Sequence, residues 1–411
     1  MTLDRNSLQA LDRADPLAGF RAEFDIPEDL IYLDGNSLGV MPAAVPAQLR
    51  RTVQHWRNDL VGAWNSANWI SLPNRIGSRI ARLIGARDDE VICTDSTSVN
   101  LFKLAAAALR MQPGRKVILT ERGNFPTDVY ILEGLSELTG LKDHLRVVPR
   151  EQVLDSIDES VAVLVLTHVH YKTAEMYDMA AVTRAAHDKG VLVVWDLSHS
   201  TGAVEVDLNG CDADFAVGCG YKYLNGGPGA PAFLFAAKRH HQRATQPLSG
   251  WLGHRNPFAF GDSYQPSPGV ARFLCGAQPV LAMMPLDCGL EIFERVSMRQ
   301  VRAKSLRMRA ILLDLLQRRC TRYGFEFEPD VGAANRGSHL SIMHPESYAI
   351  CQALIRRRVI GDFRAPDALR FGLTPLYLRH VDLWDAVEHL VQVMEQGEWD
   401  TESARVRHAV T

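Results

Sequence analysis

Five short runs, EVICT at 90–94, KVILT at 116–120, VAVLVLTHV at 161–169, VLVVWDL at 191–197 and DFAVGCG at 214–220, are apolar on both faces and rich in β-branched residues. A strand with one wet face alternates polar with apolar residues. A run without that alternation needs cover on both sides, as parallel strands have in an α/β sheet. Segments of helical period lie between the runs, such as MAAVTRAAHDKG at 179–190, which ends in a C-terminal glycine. The pattern predicts a mainly parallel sheet covered by helices. After about residue 290 it changes to a long charged amphipathic helix, roughly 291–319, then short strands (YGFEFEP, HLSIMH, LRFGLT) and a final helix near 382–396. We therefore divide the chain into an N-terminal helix and loop segment (1–45), a large α/β domain (46–290) and a small α+β domain (291–411). IYLDGNSLGVMP reads as an ordered loop, placed over the site or at a subunit contact.

The 411 residues carry a formal charge of −3 and are 46% hydrophobic, enough for a sizeable core and without a basic face for nucleic acid. No apolar run approaches a membrane span, and MTLDRNSLQALDRADPLAG has no apolar h-region, so a cytoplasmic location is expected. The seven cysteines are scattered and never in C-x-x-C spacing, which supports neither a disulfide framework nor a zinc ribbon. The expected partner is a small molecule.

In an open α/β sheet, ligands bind beyond the carboxyl ends of the strands. After EVICT, Ser96, Thr97 and Ser98 stand where a helix would begin. Their hydroxyls and free N–H groups suit an anion, and suit an ordinary helix cap equally. After KVILT, Phe125 and Asp128 offer an aromatic plate beside a carboxylate, or a capped turn. VLVVW runs into Asp196, with His199 three residues on. A buried Asp there calls for a cationic partner, such as a protonated heterocyclic nitrogen, or caps a helix. His168, His170 and His199 do not suggest a metal, because no carboxylate has ligand spacing to them. Then comes GCGYKYLNGGPGA at 218–230, with one charge among its glycines. Lys222 at this edge reads as a functional amine. An amine, a carboxylate, a ring plate and an anion cup, in sheet order, are the parts that pyridoxal 5'-phosphate requires.

YLDGNSLG (32–39), FPTD (125–128), WDLSHSTGA (195–203), GYKYLNGGPGAPAFLF (220–235) and GWLGH (250–254) resemble the signatures of the kynureninases, within the fold-type I pyridoxal-phosphate enzymes of the class V aminotransferase-like superfamily. The resemblance implies Lys222 as the Schiff-base lysine, Asp196 on the pyridine nitrogen and Phe125 stacked on the ring. It implies Thr97, Ser98 and Tyr221 at the phosphate, with Asp128, His199 and Trp251 completing the cofactor shell. Arg370 falls where the family binds the substrate α-carboxylate, and Trp64 is a wall for an aromatic substrate or part of the core. Ala277, in LCGAQP, departs from the family, which often has Thr or Asn near the cofactor phosphate. The implied reaction is hydrolysis of L-kynurenine, and of 3-hydroxykynurenine, to anthranilate or 3-hydroxyanthranilate and L-alanine in tryptophan degradation. Lys222 moves the α-proton, and Tyr221 relays protons or only binds phosphate. The resemblance also implies a homodimer with the active site at the subunit interface. The alternatives are a cysteine desulfurase or selenocysteine lyase, which needs a mobile nucleophilic cysteine where Cys320 and Cys351 read as structural, and a non-catalytic binding module.

Overall fold

The computed structural model describes residues 3–329 and 331–408. After the short β1 (Ile31–Tyr32), seven strands form one sheet: β2 (Val91–Cys93), β3 (Val117–Glu121), β4 (Leu145–Val148), β5 (Val161–Thr167), β6 (Leu192–Asp196), β7 (Phe215–Gly218) and β8 (Phe233–Ala236), in the order β2-β8-β7-β6-β5-β3-β4. All run parallel except β8, which is antiparallel to both β2 and β7. The absence of alternation in β5 has its physical reason here. Val163 and Val165 pack under α5 (Thr97–Met111) and α6 (Pro126–Leu138), whereas Leu164 and Leu166 join the core on the other face. After α1 (Arg5–Arg13), α2 (Val45–Asp59) and the short α3 (Ala63–Ser66), that second face is covered by α4 (Leu72–Leu83), α7 (Met179–Asp188) and α8 (Val280–Phe293), continuous with the core of the C-terminal part. The half-buried edge strand β4 and the short β8 are not marked by the sequence pattern.

The single helix expected over 291–319 is instead two. α8 stops at Phe293, and α9 (Met298–Cys320) starts after Ser297, an extended residue at the N-cap position. Beyond α9, β9 (Glu326–Phe327), β10 (His339–Met343), β12 (Asp362–Arg364) and β13 (Ala368–Gly372) make an antiparallel sheet in the order β12-β13-β10-β9. It packs with α10 (Ser347–Arg356) and α11 (His380–Glu395). β11 (Val359–Ile360) pairs in parallel with β1. That pairing ties the N-terminal segment to the C-terminal part and sends residues 33–39 across to the main sheet. Gly39 N–H donates to the Tyr221 carbonyl at 2.7 Å, and Gly372 N–H donates to the Leu33 carbonyl at 2.6 Å. A Cβ on Gly39 would lie 2.3 Å from the Lys222 carbonyl oxygen, so glycine is needed for this approach. Among the described residues no helix is long and apolar enough to cross a membrane.

Candidate active site

The carboxyl ends of β2, β3, β6 and β7 deliver Ser96, Phe125, Asp196 and Lys222 to one edge of the sheet. Ser96 caps α5 in extended backbone (φ −101°, ψ 163°), its Oγ accepting from Val99 N–H at 3.3 Å. Thr97 and Ser98 follow as the first two helical residues, whose N–H groups have no intrahelical acceptor and carry the positive end of the dipole. Next to them is a cavity of roughly 550 Å³, lined by residues 94–97, 228–232 and 276–279 with Leu38 and Tyr221. Lys103, fully buried, pins its rim by donating to the Asp95 carboxylate and, at 2.6 Å, to the Phe273 carbonyl. Ala277 is in the wall, and its neighbour Gln278 donates to the Trp69 carbonyl at 2.7 Å.

Lys222 Nζ lies 3.0 Å from His199 Nε2 and 5.8 Å from the ring centroids of both Phe125 and Tyr221. Behind it are two buried carboxyls. Asp196 Oδ1 accepts from Ser198 N–H at 2.8 Å and Ser198 Oγ at 2.6 Å, whereas Asp128 is hydrogen-bonded to the Asp196 carboxyl and, at 3.4 Å, to Thr167 Oγ1. Burial raises both, and the charge of Asp196 pushes Asp128 well above the usual carboxylate range. Asp196, whose carboxylate accepts the two Ser198 hydrogen bonds, therefore holds the negative charge and Asp128 the proton. Burial, and then the lysine charge, hold His199 well below the usual imidazole range, so it is neutral. Burial raises the Tyr221 phenol, which keeps its proton at neutral pH.

Arg370 is buried on β13, not a surface arginine. Its Nε donates to Asp362 Oδ1 at 2.8 Å and its Nη2 to Asp362 Oδ2 and, at 3.0 Å, to Ser37 Oγ, while Nη1 donates to the Tyr171 carbonyl. Arg364 Nη2 also reaches Asp362, at 2.7 Å. Asp34, beside them, is pushed up to about 8 by burial and then by Asp362, and so is uncharged at neutral pH. Two guanidiniums thus face one carboxylate. The cluster is one positive charge in excess, and one Nη1 hydrogen of Arg370 is left over.

Two expected residues are not brought to this edge. Trp251 is 40% exposed, packs edge-on against Phe258 at 5.6 Å and lines a separate surface cleft with His254, Phe260 and Tyr264. Trp64 packs edge-on against Trp69 at 6.1 Å and is absent from the cavity wall. Sequence reasoning missed Thr167, Ser198, Ser37, Asp362, Gln278 and His339. Ser198 had a signal in DLSHS, where a serine two residues after Asp can bond its carboxylate. The others meet the site only through tertiary packing. Cys320 and Cys351 are buried, and burial pushes the Cys320 thiol up to about 12.

The chain matches the family described as Aminotransferase class-V over residues 31–344 and the Kynureninase C-terminal domain over residues 301–390. A curated protein of Pseudomonas fluorescens named Kynureninase is 48% identical over 413 residues, covering 99% of both chains. Its namesake from Burkholderia mallei (strain SAVP1) is 49% identical with the same coverage. Among solved structures, the cysteine desulfurase CsdA of Escherichia coli superposes with a TM-score of 0.76 at 17% identity, covering 92% of this chain and 98% of its own. The cysteine desulfurase of Thermococcus onnurineus NA1 gives 0.75 at 17% identity, covering 93% and 98%. These two likenesses concern the fold alone.

Proposed function

The chain belongs to the kynureninases of the class-V aminotransferase family, and on that premise we propose that it hydrolyses the Cβ–Cγ bond of L-kynurenine to give anthranilate and L-alanine. 3-Hydroxykynurenine gives 3-hydroxyanthranilate by the same reaction. The observation that carries this reading is the pairing of two sites: Lys222 among Phe125, His199 and Asp196, and the net-positive Arg370 cluster reached through residues 33–39.

The residues fit pyridoxal 5'-phosphate. Thr97, Ser98 and Tyr221 would hold its phosphate at the start of α5, with Ala277 contributing only backbone. The Phe125 ring would cover the cofactor ring, and the Asp196 carboxylate, fixed by Ser198, would keep the pyridine nitrogen protonated. Bound pyridoxal phosphate supplies the electron sink that makes the substrate α-proton removable. Lys222 is the group that moves that proton, with neutral His199 beside it as acceptor. Tyr221 keeps a phenolic proton available at the same place. Arg370, oriented by Asp362 and Ser37, anchors the α-carboxylate. Asp128, protonated, supports Asp196 from behind.

The reading includes a homodimer. Trp251, Phe258 and Phe260 are 40%, 63% and 76% exposed, an apolar face that a second copy would cover, placing Trp251 against the partner's cofactor. Trp64 would border the aromatic substrate, beside Trp69, whose carbonyl accepts from Gln278 in the cavity wall. A cytoplasmic location and the three-part division of the chain belong to the same reading.

The test is incubation of the cofactor-loaded protein with L-kynurenine, following anthranilate fluorescence and L-alanine together. Equimolar release is expected. No anthranilate, with sulfur released from cysteine instead, would overturn it.

A further inference from the structure

The face of the C-terminal sheet that carries Arg370 also carries a group with no role so far. In the antiparallel pair of β10 and β13, His339 stands opposite Gly372 and Ser341 opposite Arg370, so these four residues share one face. Ser341 Oγ donates to the Lys172 carbonyl, and Arg370 donates to the neighbouring Tyr171 carbonyl. His339 does neither. It is 0% exposed, and neither Nδ1 nor Nε2 has a hydrogen-bond partner. Its ring centroid is 5.4 Å from that of His199, with the planes at 54°. His199 gives Nε2 to Lys222, and its Nδ1 is likewise buried without a partner.

Three partnerless imidazole nitrogens on two adjacent buried rings are unusual, because buried polar atoms are nearly always paired. Both rings are neutral: burial lowers each, helped by Lys222 and then His339, Arg370 and Arg364 at His199, and by Arg370, His170, Lys222 and Arg309 at His339. A neutral imidazole has one N–H and one lone pair, and the bond made at one nitrogen decides what the other presents. The His199 nitrogen that faces Lys222 is therefore governed by whatever its Nδ1 meets. The centroids are 5.4 Å apart with no direct bond between the rings, so a hydrogen bond linking their nitrogens has to pass through a water.

We propose that His339 is a positioning residue that acts through His199: across one shared water it fixes the ring and tautomer that His199 presents to Lys222. The proposal rests on the reading of Lys222 as the cofactor lysine. By this arrangement the C-terminal sheet supplies two things from one face, the arginine for the substrate carboxylate and the ring that sets the lysine's partner.

The experiment is ¹⁵N-histidine NMR on the cofactor-loaded protein without substrate, with steady-state kinetics alongside. Wild type is expected to show His199 in a single tautomer. His339→Leu should move the two His199 nitrogen shifts toward each other, and lower kcat about tenfold at unchanged KM, the low end of what is lost when the partner that orients a metal-bound histidine is removed. His339→Gln, which keeps a donor and an acceptor, should restore both. If the leucine variant does not fold, His339→Asn, too short to reach the water, is expected to give the same mixed tautomers. Unchanged His199 shifts in the leucine or asparagine variant would overturn the proposal, and so would a rise in KM alone, which means that the ring touches substrate. The shifts are read without turnover, so a protein inactive on kynurenine fails the proposed function and leaves this measurement decisive.

Discussion

Raising the pH above 8 is expected to loosen the substrate through a carboxyl that never touches it. Asp34, in the loop between β1 and Gly39, is pushed up to about 8 by burial first and by Asp362 second. Below that pH the group is neutral, and Arg364 and Arg370 outweigh the single charge of Asp362. Above it the cluster sums to zero, and its attraction for an α-carboxylate falls. If only the protonated form binds well, KM follows 1 + 10^(pH − 8), rising about tenfold between pH 7 and pH 9. One unit charge about 6 Å away at an effective dielectric near 20 is worth about 3 kcal/mol, or about 100-fold, so the rise is not cut short within that range. The assay is KM for L-kynurenine from pH 6.5 to about 9.5 in wild type and Asp34→Asn, with the decarboxylated analogue as a control. The variant and the analogue should both lack the rise. Stability gives a second reading: a carboxyl raised in the folded state favours folding most below about pH 4 and loses that contribution as pH climbs through 8, so Asp34→Asn should be the more stable protein at pH 9. A KM rise that persists in Asp34→Asn refutes the reasoning.

Arg370→Ala should raise KM for kynurenine about 100-fold through loss of a charge-assisted contact, with cofactor absorbance retained and the preference for kynurenine over its decarboxylated analogue abolished. Asp196→Asn should bind some cofactor yet lose most exchange of the substrate α-proton, measured in deuterium oxide; near-normal exchange would assign the aspartate to packing. Gly39→Ala places a Cβ 2.3 Å from the Lys222 carbonyl oxygen, so it should weaken cofactor affinity, read by absorbance titration, while leaving the circular dichroism intact. Lys103→Met leaves the Asp95 carboxylate without its buried partner and should cost about 3 kcal/mol in urea unfolding, with the cavity rim loosened.

The main sheet was readable because its strands bury both faces and so drop the polar alternation, as Val163 to Leu166 do. β8 was not, since FLFA is only four residues long and follows a glycine-rich turn. The long C-terminal helix was misjudged where charged periodicity ran through a break: nothing in Arg295–Val296 contrasts with the pattern on either side, and only the extended Ser297 interrupts it. The placement of Lys222, Asp196, Phe125 and Thr97 at one sheet edge was legible because each ends its strand or follows it by a few residues. Ser37, Asp362 and His339 were not, because they reach the site from elements more than about a hundred residues from Lys222 in sequence. Trp251 was legible as a motif, and its 40% exposure in a cleft with His254, Phe260 and Tyr264 was not.

The central claim is that Lys222 is the amine to which pyridoxal phosphate attaches. Borohydride reduction of the cofactor-loaded protein, followed by peptide mapping, tests it most directly. One modified residue, Lys222, is expected, in the peptide containing GYKYLNGGPG. A label on any other lysine, or none while the cofactor remains bound, would contradict it.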